Sequence, residues 1–368
     1  MPDLYIGLMS GTSMDGIDAA LVSFGDASVE ILATRGHDYP DDLRQALIKS
    51  RSDSSLRSSA DAAELHRRVG ECFRDAAIEL LNTANADASA IRAIGSHGQT
   101  LRHEPDADSP YSLQIGDPEI IARGTGITTI ADFRRKDIEL GGQGAPLAPA
   151  FHEWLFRRSG ETRVVLNIGG IANITVLHGD NSSTTGFDTG PGSTLLDAWI
   201  RRHKNASYDK EGHWSSGGSV VNELLTRLMA DPYFALSPPK STGFEYFNLD
   251  WLDGVLHPDQ DPADVQATLC QLTADSIAQD IRTAAADASE VLVCGGGVHN
   301  HDLMARLQAA LSDTRVQSTA VAGLDPDWVE AVAFAWLAMR TCRGETGNLP
   351  SVTGATRAAV LGTVHRDS

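Results

Sequence analysis

The sequence predicts an α/β fold built from two similar units with a cleft between them. Three observations carry that prediction. The chain has 368 residues, too many for one small core and enough for two domains of ordinary size. Short apolar or β-branched runs alternate with longer stretches of helical periodicity. The order strand, glycine turn, strand, strand, helix, strand with a polar or glycine-rich end, helix, strand then occurs twice, as a repeat of topology and not of letters.

In the first half, residues 4–9 read as a strand delivered into the small-residue turn 10–16. Residues 18–24 and, past Gly25-Asp26, 29–34 complete a three-stranded meander. Apolar positions at Leu65, Val69, Cys72, Phe73, Ala76 and Leu80 give residues 61–84 one buried helical face. A strand follows at 92–95, ending in Ser96-His97-Gly98-Gln99, then a short helix at 118–123 and a strand at 127–131. Residues 135–144, with Gly141-Gly142-Gln143-Gly144, read as a crossover or hinge.

The second half repeats the order. A strand at 163–168 ends in Gly169-Gly170, and strands at 172–177 and 184–187 follow. A helix starts near Ser193 and runs to about His203, and a long one spans 265–284 with Val265, Leu269, Leu272, Ile277 and Ile281 on one face. The strand 291–294 ends in Gly295-Gly296-Gly297, and helix 302–311, strand 316–319 and helix 329–341 complete the set. The expected domains are 1–132, with 350–368 as a candidate to complete it, and 133–349.

With 42% hydrophobic and 21% charged residues, the composition is that of a globular protein. A net charge of −19 repels polyanions and argues against nucleic acid or anionic membrane as the main partner. It leaves room for a nucleotide held by local amides and a metal ion. Cys72, Cys270, Cys294 and Cys342 form no C-x-x-C pair and read as small buried hydrophobes of a reducing compartment. The N-terminus lacks a basic n-region and no apolar run approaches membrane-spanning length, so the expectation is a cytoplasmic protein.

The segment Ser10-Gly11-Thr12-Ser13-Met14-Asp15-Gly16 has the chemistry of an anion-binding turn. Small side chains let backbone amides approach an anion, Ser and Thr add hydroxyl donors, and Asp15 suits a magnesium ion held through water. It is neither a Walker A loop nor a dinucleotide fingerprint, and read alone it is equally an ordinary hairpin turn. Asn167, Gly169 and Gly170 occupy the equivalent place in the second half, so that two phosphate-sized turns facing each other across a cleft would clamp a triphosphate. Gly295, Gly296 and Gly297 offer bare backbone to a nucleoside, although glycine also serves simple tight packing.

Among acidic residues, Asp188 in Gly186-Phe187-Asp188-Thr189-Gly190-Pro191-Gly192 is the most suggestive. At a strand end before a helix it would project into the cleft as general base, with a helix cap as the alternative. Asp197 reads as a solvated or capping partner. In Asp132-Phe133-Arg134-Arg135-Lys136-Asp137, Arg134 suits a substrate oxygen or carboxylate, while Arg135 and Lys136 read as a surface cluster. Glu330 opens an apolar helix, where it either favours the dipole or points at a ligand. His97 and Gln99 read as substrate contacts, because their spacing with His103 and Asp117 matches no zinc motif and names no metal ligand. Lys240, in Pro238-Pro239-Lys240-Ser241-Thr242-Gly243, lies either near an anion or on a rigid surface turn.

Those motifs, together with Gly141-Gly142-Gln143-Gly144-Ala145-Pro146-Leu147, Cys294 to Val298, Glu330 to Ala338 and Val352-Thr353-Gly354-Ala355, resemble in order those of the anhydro-N-acetylmuramic acid kinase family. The resemblance implies two RNase H-like lobes of the actin/hexokinase type with ATP in the interdomain cleft, and a homodimer. It implies that 1,6-anhydro-N-acetylmuramic acid, ATP and water become N-acetylmuramic acid 6-phosphate and ADP, in peptidoglycan recycling. On the same ground Asp188 matches the catalytic base and Ser10 to Asp15 the ATP loop. His97, Gln99, Asp132, Arg134 and Glu330 are the expected sugar contacts. Ser193 departs from the asparagine common in the family after Gly-Pro-Gly. The rival readings are a non-catalytic nucleotide sensor or chaperone-like ATPase on the same fold, and another sugar kinase.

Overall fold

Most strands of this chain are apolar on both faces, the pattern of a sheet covered by helices on each side. In the central strands nearly every position is buried. The computed structural model describes residues 3–11, 14–50, 60–105, 107–180 and 182–367. In chain order the elements begin with β1 (Leu4–Ser10), β2 (Gly16–Phe24), β3 (Val29–Asp38), α1 (Asp41–Ser50), α2 (Ala60–Ala84), β4 (Ile91–Glu104) and β5 (Tyr111–Ile115). Next come α3 (Pro118–Thr125), β6 (Thr129–Ala131), α4 (Arg135–Glu139), α5 (Ala148–Phe156), β7 (Arg163–Ile168), β8 (Ile171–Leu177), β9 (Thr185–Pro191) and α6 (Thr194–Lys204). The rest are α7 (Asn222–Met229), α8 (Leu249–Asp253), α9 (Pro262–Ala284), β10 (Glu290–Cys294), α10 (His301–Ala310), β11 (Arg315–Ser318), α11 (Val329–Cys342), α12 (Pro350–Thr353) and β12 (Thr363–His365).

These elements form two compact units, Met1–Leu155 with Trp328–Ser368, and Phe156–Asp327. Among the described residues, the sheet of the first unit runs β12-β6-β4-β1-β2-β3, with β5 paired to the outer end of β4. That of the second runs β11-β10-β7-β8-β9. In each, the first strand is central, the next two follow as an antiparallel meander on one side, and the fourth lies parallel on the other. This is the RNase H-like order, and it is the repeat that the sequence predicts.

The first unit differs from the expected domain at both ends. Residues 133–155 and 328–349 belong to it, because α11 packs across β1, β4 and β2. Two glycines permit that contact. A Cβ at Gly7 would overlap the Ala331 carbonyl oxygen, and one at Gly95 the Phe334 carbonyl oxygen. Phe151 and Trp154 on α5 then pack against Trp336 of α11, at ring separations of 6.0 and 6.1 Å. The opposite face of the sheet buries Leu65, Val69, Phe73 and Leu80 of α2. In the second unit α9 buries Val265, Leu269, Leu272, Ile277 and Ile281, the face read from the sequence. Its N-terminus is capped by Asp261, whose side chain accepts from the Ala263 amide at 2.8 Å.

Three expectations about elements change. The fourth strand does not stop at Gly95 but continues through His97 and Gln99 to Glu104 and folds back into β5. The third strand of the second unit runs to Pro191, so Asp188 stands inside β9 and not at a strand end before a helix. The segment 135–144 holds the short α4 and is bound to the C-terminal stretch rather than swinging free. The Gln143 amide donates to Thr353 O at 2.8 Å and the Thr356 amide to Leu140 O at 2.9 Å.

The close seat of α11 makes a direct prediction. Gly95→Ala is expected to cost about 3 kcal/mol or more, the upper end of overpacking effects, because the obstruction is backbone and not a movable side chain. It would be read as a fall in the urea midpoint of the first unit, and an unchanged midpoint would show that α11 can shift without penalty.

Candidate functional site

A chain leaving the end of a buried strand carries backbone polar groups that need partners. At the end of β1 these are supplied by side chains. Ser10 Oγ lies 2.6 Å from Gly16 O and 2.8 Å from Gln99 Oε1, two acceptors that share its proton, while Tyr39 donates to it at 3.2 Å. Gln99 Nε2 donates to Gly11 O at 3.0 Å. Ser10 and Gln99 are wholly buried, so Gln99 holds the turn from beneath. Past it, Met14 is buried with a left-handed φ of 53°, and Arg44 Nε donates to its carbonyl at 3.2 Å. Asp15 is exposed and Gly16 begins β2. Thr12 and Ser13 lie outside the described residues.

His97 extends this support. Its Nδ1 is 3.2 Å from Ser10 O, and its Nε2 2.9 Å from Arg134 Nη2. A carbonyl only accepts and a guanidinium only donates, so Nδ1 carries the proton and Nε2 accepts. Burial, with Arg134 adding to it, pushes the His97 pKa down to about 3, and the ring is neutral. Arg134 also donates from Nη1 to Gly144 O at 2.9 Å, while its Nε is buried without a partner among the described residues. Burial lowers its pKa to about 10, against the opposing pull of Glu330. The Glu330 carboxyl is pushed up, first by desolvation and then by Asp18, although its side chain keeps solvent access. Asp132 sits at φ 58°, a strained conformation for a side-chain-bearing residue, and pairs with Arg135 at 2.8 Å. Arg135 and Lys136 form exposed pairs, as the sequence indicates. His97, Arg134 and Glu330 thus come together, and Gln99 is turned away beneath the turn.

In the second unit the carbonyls of the equivalent turn are held by backbone amides. Gly170 O accepts the amides of Gly192 and Thr194 at 2.9 and 3.1 Å, and Gly169 O that of Ser193 at 2.9 Å. Ser193 therefore contributes its main chain here, whatever its side chain. A Cβ at Gly296 would meet nothing within 4 Å, and at Gly169 and Gly170 nothing nearer than 3.7 and 4.0 Å. No neighbour among the described residues demands glycine at these three positions, which suits close approach by a ligand. Gly295 and Gly297 differ, since a Cβ there would strike Asn167 Oδ1 and the Ile168 side chain. Asn167 thus packs against the third glycine element.

Asp188 stands at a bulge. Ala172 opposes Gly190 and Asn173 opposes Asp188, which leaves Thr189 as an extra residue of β9. Bulges re-aim neighbouring side chains and are frequent beside active sites. The Asp188 backbone is fixed from both sides, its amide donating to Lys240 O at 3.1 Å and its carbonyl accepting from Tyr233 Oη at 2.7 Å. Oδ2 accepts the Thr242 amide at 3.1 Å, and Oδ1 has no hydrogen-bond partner among the described residues. Burial pushes its pKa up to about 6, against the Thr242 amide and the Lys240 charge. A carboxyl so poised titrates near neutrality, which a general base requires.

Lys240 is where the sequence reading falls short. It is neither at a surface turn nor open to an anion but buried, donating to Asp280 of α9 at 3.0 Å and lying over the Tyr233 ring at 5.1 Å. Asp197 is half-buried and is the side-chain partner of Ser193, the residue that opens α6. It accepts from Ser193 Oγ at 2.7 Å, and burial raises its pKa to about 6. Tyr39, Tyr233 and Asp280 carry no signal in the sequence, because each acts through a contact distant in the chain. Among the described residues there is no cluster of three His, Cys, Asp or Glu fit for a metal ion, and no helix long and apolar enough to cross a membrane.

A family model for anhydro-N-acetylmuramic acid kinase matches residues 3–367. The anhydro-N-acetylmuramic acid kinase of Coxiella burnetii (strain Dugway 5J108-111) is 51% identical over 365 residues, 98% of this chain and 97% of its own. That of Shewanella loihica is 51% identical over 367 residues, covering 97% of each chain, and that of Shewanella sp. (strain ANA-3) 52% over 363 residues, again 97% of each. Matched from end to end in this way, with about half its residues shared, the chain belongs to the anhydro-N-acetylmuramic acid kinase family.

Proposed function

We propose that the protein is an ATP-dependent kinase that opens and phosphorylates 1,6-anhydro-N-acetylmuramic acid, giving N-acetylmuramic acid 6-phosphate and ADP. The observation that carries the mechanism is Asp188, a half-buried carboxylate with one oxygen held by the Thr242 amide and the other without a partner among the described residues. In the anhydro-sugar the bridge ties C1 to O6, so no free 6-hydroxyl exists. Asp188 Oδ1 takes a proton from a water that attacks C1. As the C1–O6 bond breaks, O6 gains the electron pair and attacks the γ-phosphorus, and ADP leaves. Because O6 is phosphorylated in place of being protonated, one residue serves both half-reactions.

The remaining residues have supporting roles in this scheme. Arg134, with His97 at its flank, Asp132 and Glu330 contact the sugar. The amides of the turn after β1 and of Gly169, Gly170 and Gly295–Gly297 receive the nucleotide, where fixed dipoles stabilise charge on phosphate oxygens. Magnesium neutralises phosphate charge when bound. Exposed Asp15 fits an ion that keeps most of its water, which needs no three-residue cluster. A cytoplasmic homodimer serving cell-wall recycling completes the reading.

Asp188→Asn is expected to abolish sugar-dependent turnover while leaving ATP affinity within about twofold, a loss confined to the reaction step. Turnover close to wild type in that variant would remove the base. Run in oxygen-18 water, the wild-type reaction should place label at C1. Label on phosphate, with no need for sugar, would instead mark an ATPase of the sensor or chaperone kind.

The acid limb of the pH profile follows from the raised carboxyl. Asp188 acts only when ionised, so kcat/KM should fall as pH drops through about 6 and level off above it. A limb near 4 would mean that the group is solvated in the working enzyme.

A further inference from the structure

Arg134 reaches its position through a chain of buried hydrogen bonds that begins in the C-terminal stretch. Asp137 on α4 has no exposed surface. Its Oδ2 accepts the Gly144 amide at 2.8 Å, and its Oδ1 accepts from Asn348 Nδ2 at 2.6 Å and Thr353 Oγ1 at 2.7 Å. The carbonyl of the same residue, Gly144, accepts from Arg134 Nη1. Arg134 Nη2 in turn meets His97 Nε2, and His97 Nδ1 meets Ser10 O at the start of the turn after β1. The series thus runs from the C-terminal stretch through Asp137, Gly144, Arg134 and His97 to Ser10, with each link made by a group that has a single role as donor or acceptor at that contact.

The site leaves little slack in this series. Gly144 is left-handed, φ 71°, and a Cβ there would crowd the Ile138 side chain at 2.8 Å. A Cβ at Gly142 would overlap Asp137 Oδ2 and come within 2.9 Å of the Ala355 methyl. The loop that presents the Gly144 carbonyl is therefore pressed against Asp137 on one side and the C-terminal stretch on the other. Arg134 has no carboxylate hydrogen-bonded to it among the described residues, only Gly144 O and His97. Orientation of its guanidinium rests on those two neutral acceptors, of which Asp137 fixes the first.

We propose that Asp137, backed by Asn348 and Thr353, is the positioning residue that aims Arg134 at the sugar and, through His97, holds the phosphate-side turn. The proposal rests on the functional reading above for its kinetic consequence, and on geometry alone for its structural one. Asp137→Asn is the direct test. Whichever way the amide is turned, its NH2 faces a donor, either the Gly144 amide or the Asn348 and Thr353 pair. Thr353→Val removes one donor at nearly constant volume and serves as the milder variant should the first fold poorly.

Two readouts decide the matter. Sugar KM is expected to rise by about 10- to 100-fold in Asp137→Asn, the range for losing one hydrogen bond to a charged group, with a smaller rise in ATP KM because the turn after β1 is reached only through His97. Thr353→Val should move the same way by less. In histidine-ring nitrogen-15 spectra, His97 Nε2 should shift toward the value of an unbonded imine nitrogen in both variants, with the other histidines unmoved. A lowered melting temperature with both sugar KM and the His97 signal unchanged would overturn the proposal and leave Asp137 as scaffold. If the wild-type enzyme turns over no anhydro-sugar, the functional reading fails, and the His97 signal alone then decides the positioning.

Discussion

The constraint that organises both units is that a polypeptide leaving the end of a central strand takes polar backbone with it into a buried place. The two units meet it differently. The first uses side chains, with Ser10, Gln99, Tyr39 and His97 converging beneath the turn. The second uses main chain, with the amides of Gly192, Ser193 and Thr194 returning to the carbonyls of Gly169 and Gly170. Either way the support comes from a distant segment, β4 in one case and the approach to α6 in the other. A turn braced from below can present its upper amides without rearranging, which is the condition under which fixed dipoles stabilise charge well.

The same economy shapes the surroundings of Asp188. A lysine directly hydrogen-bonded to it would depress its pKa and occupy the oxygen needed for water. Lys240 instead gives its hydrogen bonds to Asp280 and acts on Asp188 only through space, so burial prevails and the carboxyl rises to about 6. The Lys240–Asp280 pair is deeply placed, and removing either partner alone would strand a buried charge. Tyr233 ties these pieces together by holding the Asp188 carbonyl while its ring lies against the Lys240 ammonium.

Much of this was legible in the sequence, because periodicity and glycine punctuation report local structure directly. The meander, the α9 face and the repeated strand order could be read from single segments. What escaped depends on partners distant in the chain. The polar run His97-Gly98-Gln99 looked like the end of a strand because its letters are not apolar, yet they continue β4, buried against the turn they support. Gln99, read as a substrate contact because its spacing suits no zinc site, lies buried beneath the turn and donates to Gly11 O. The boundary at 132 failed because α11, two hundred residues on, completes the first unit through contacts that only Gly7 and Gly95 permit. The bulge at Thr189 leaves no signature in the letters, so the sequence puts Asp188 at a strand end where β9 in fact continues to Pro191.

His97 shows why a neutral group can serve better than a charged one here. A carboxylate in its place would pair with Arg134 and neutralise its charge. A protonated imidazole could not accept from Arg134 at all. Burial and the adjacent guanidinium both disfavour protonation, so the ring stays an acceptor across the physiological range without taking up charge. Gly144 O is neutral as well, and Glu330, the nearby acid, acts on Arg134 through space with no hydrogen bond to it among the described residues. The guanidinium is thus oriented by neutral contacts, with its Nε still unpartnered among the described residues. A buried donor left in that state costs roughly 1–3 kcal/mol, a cost that an incoming sugar oxygen or carboxylate would relieve on binding.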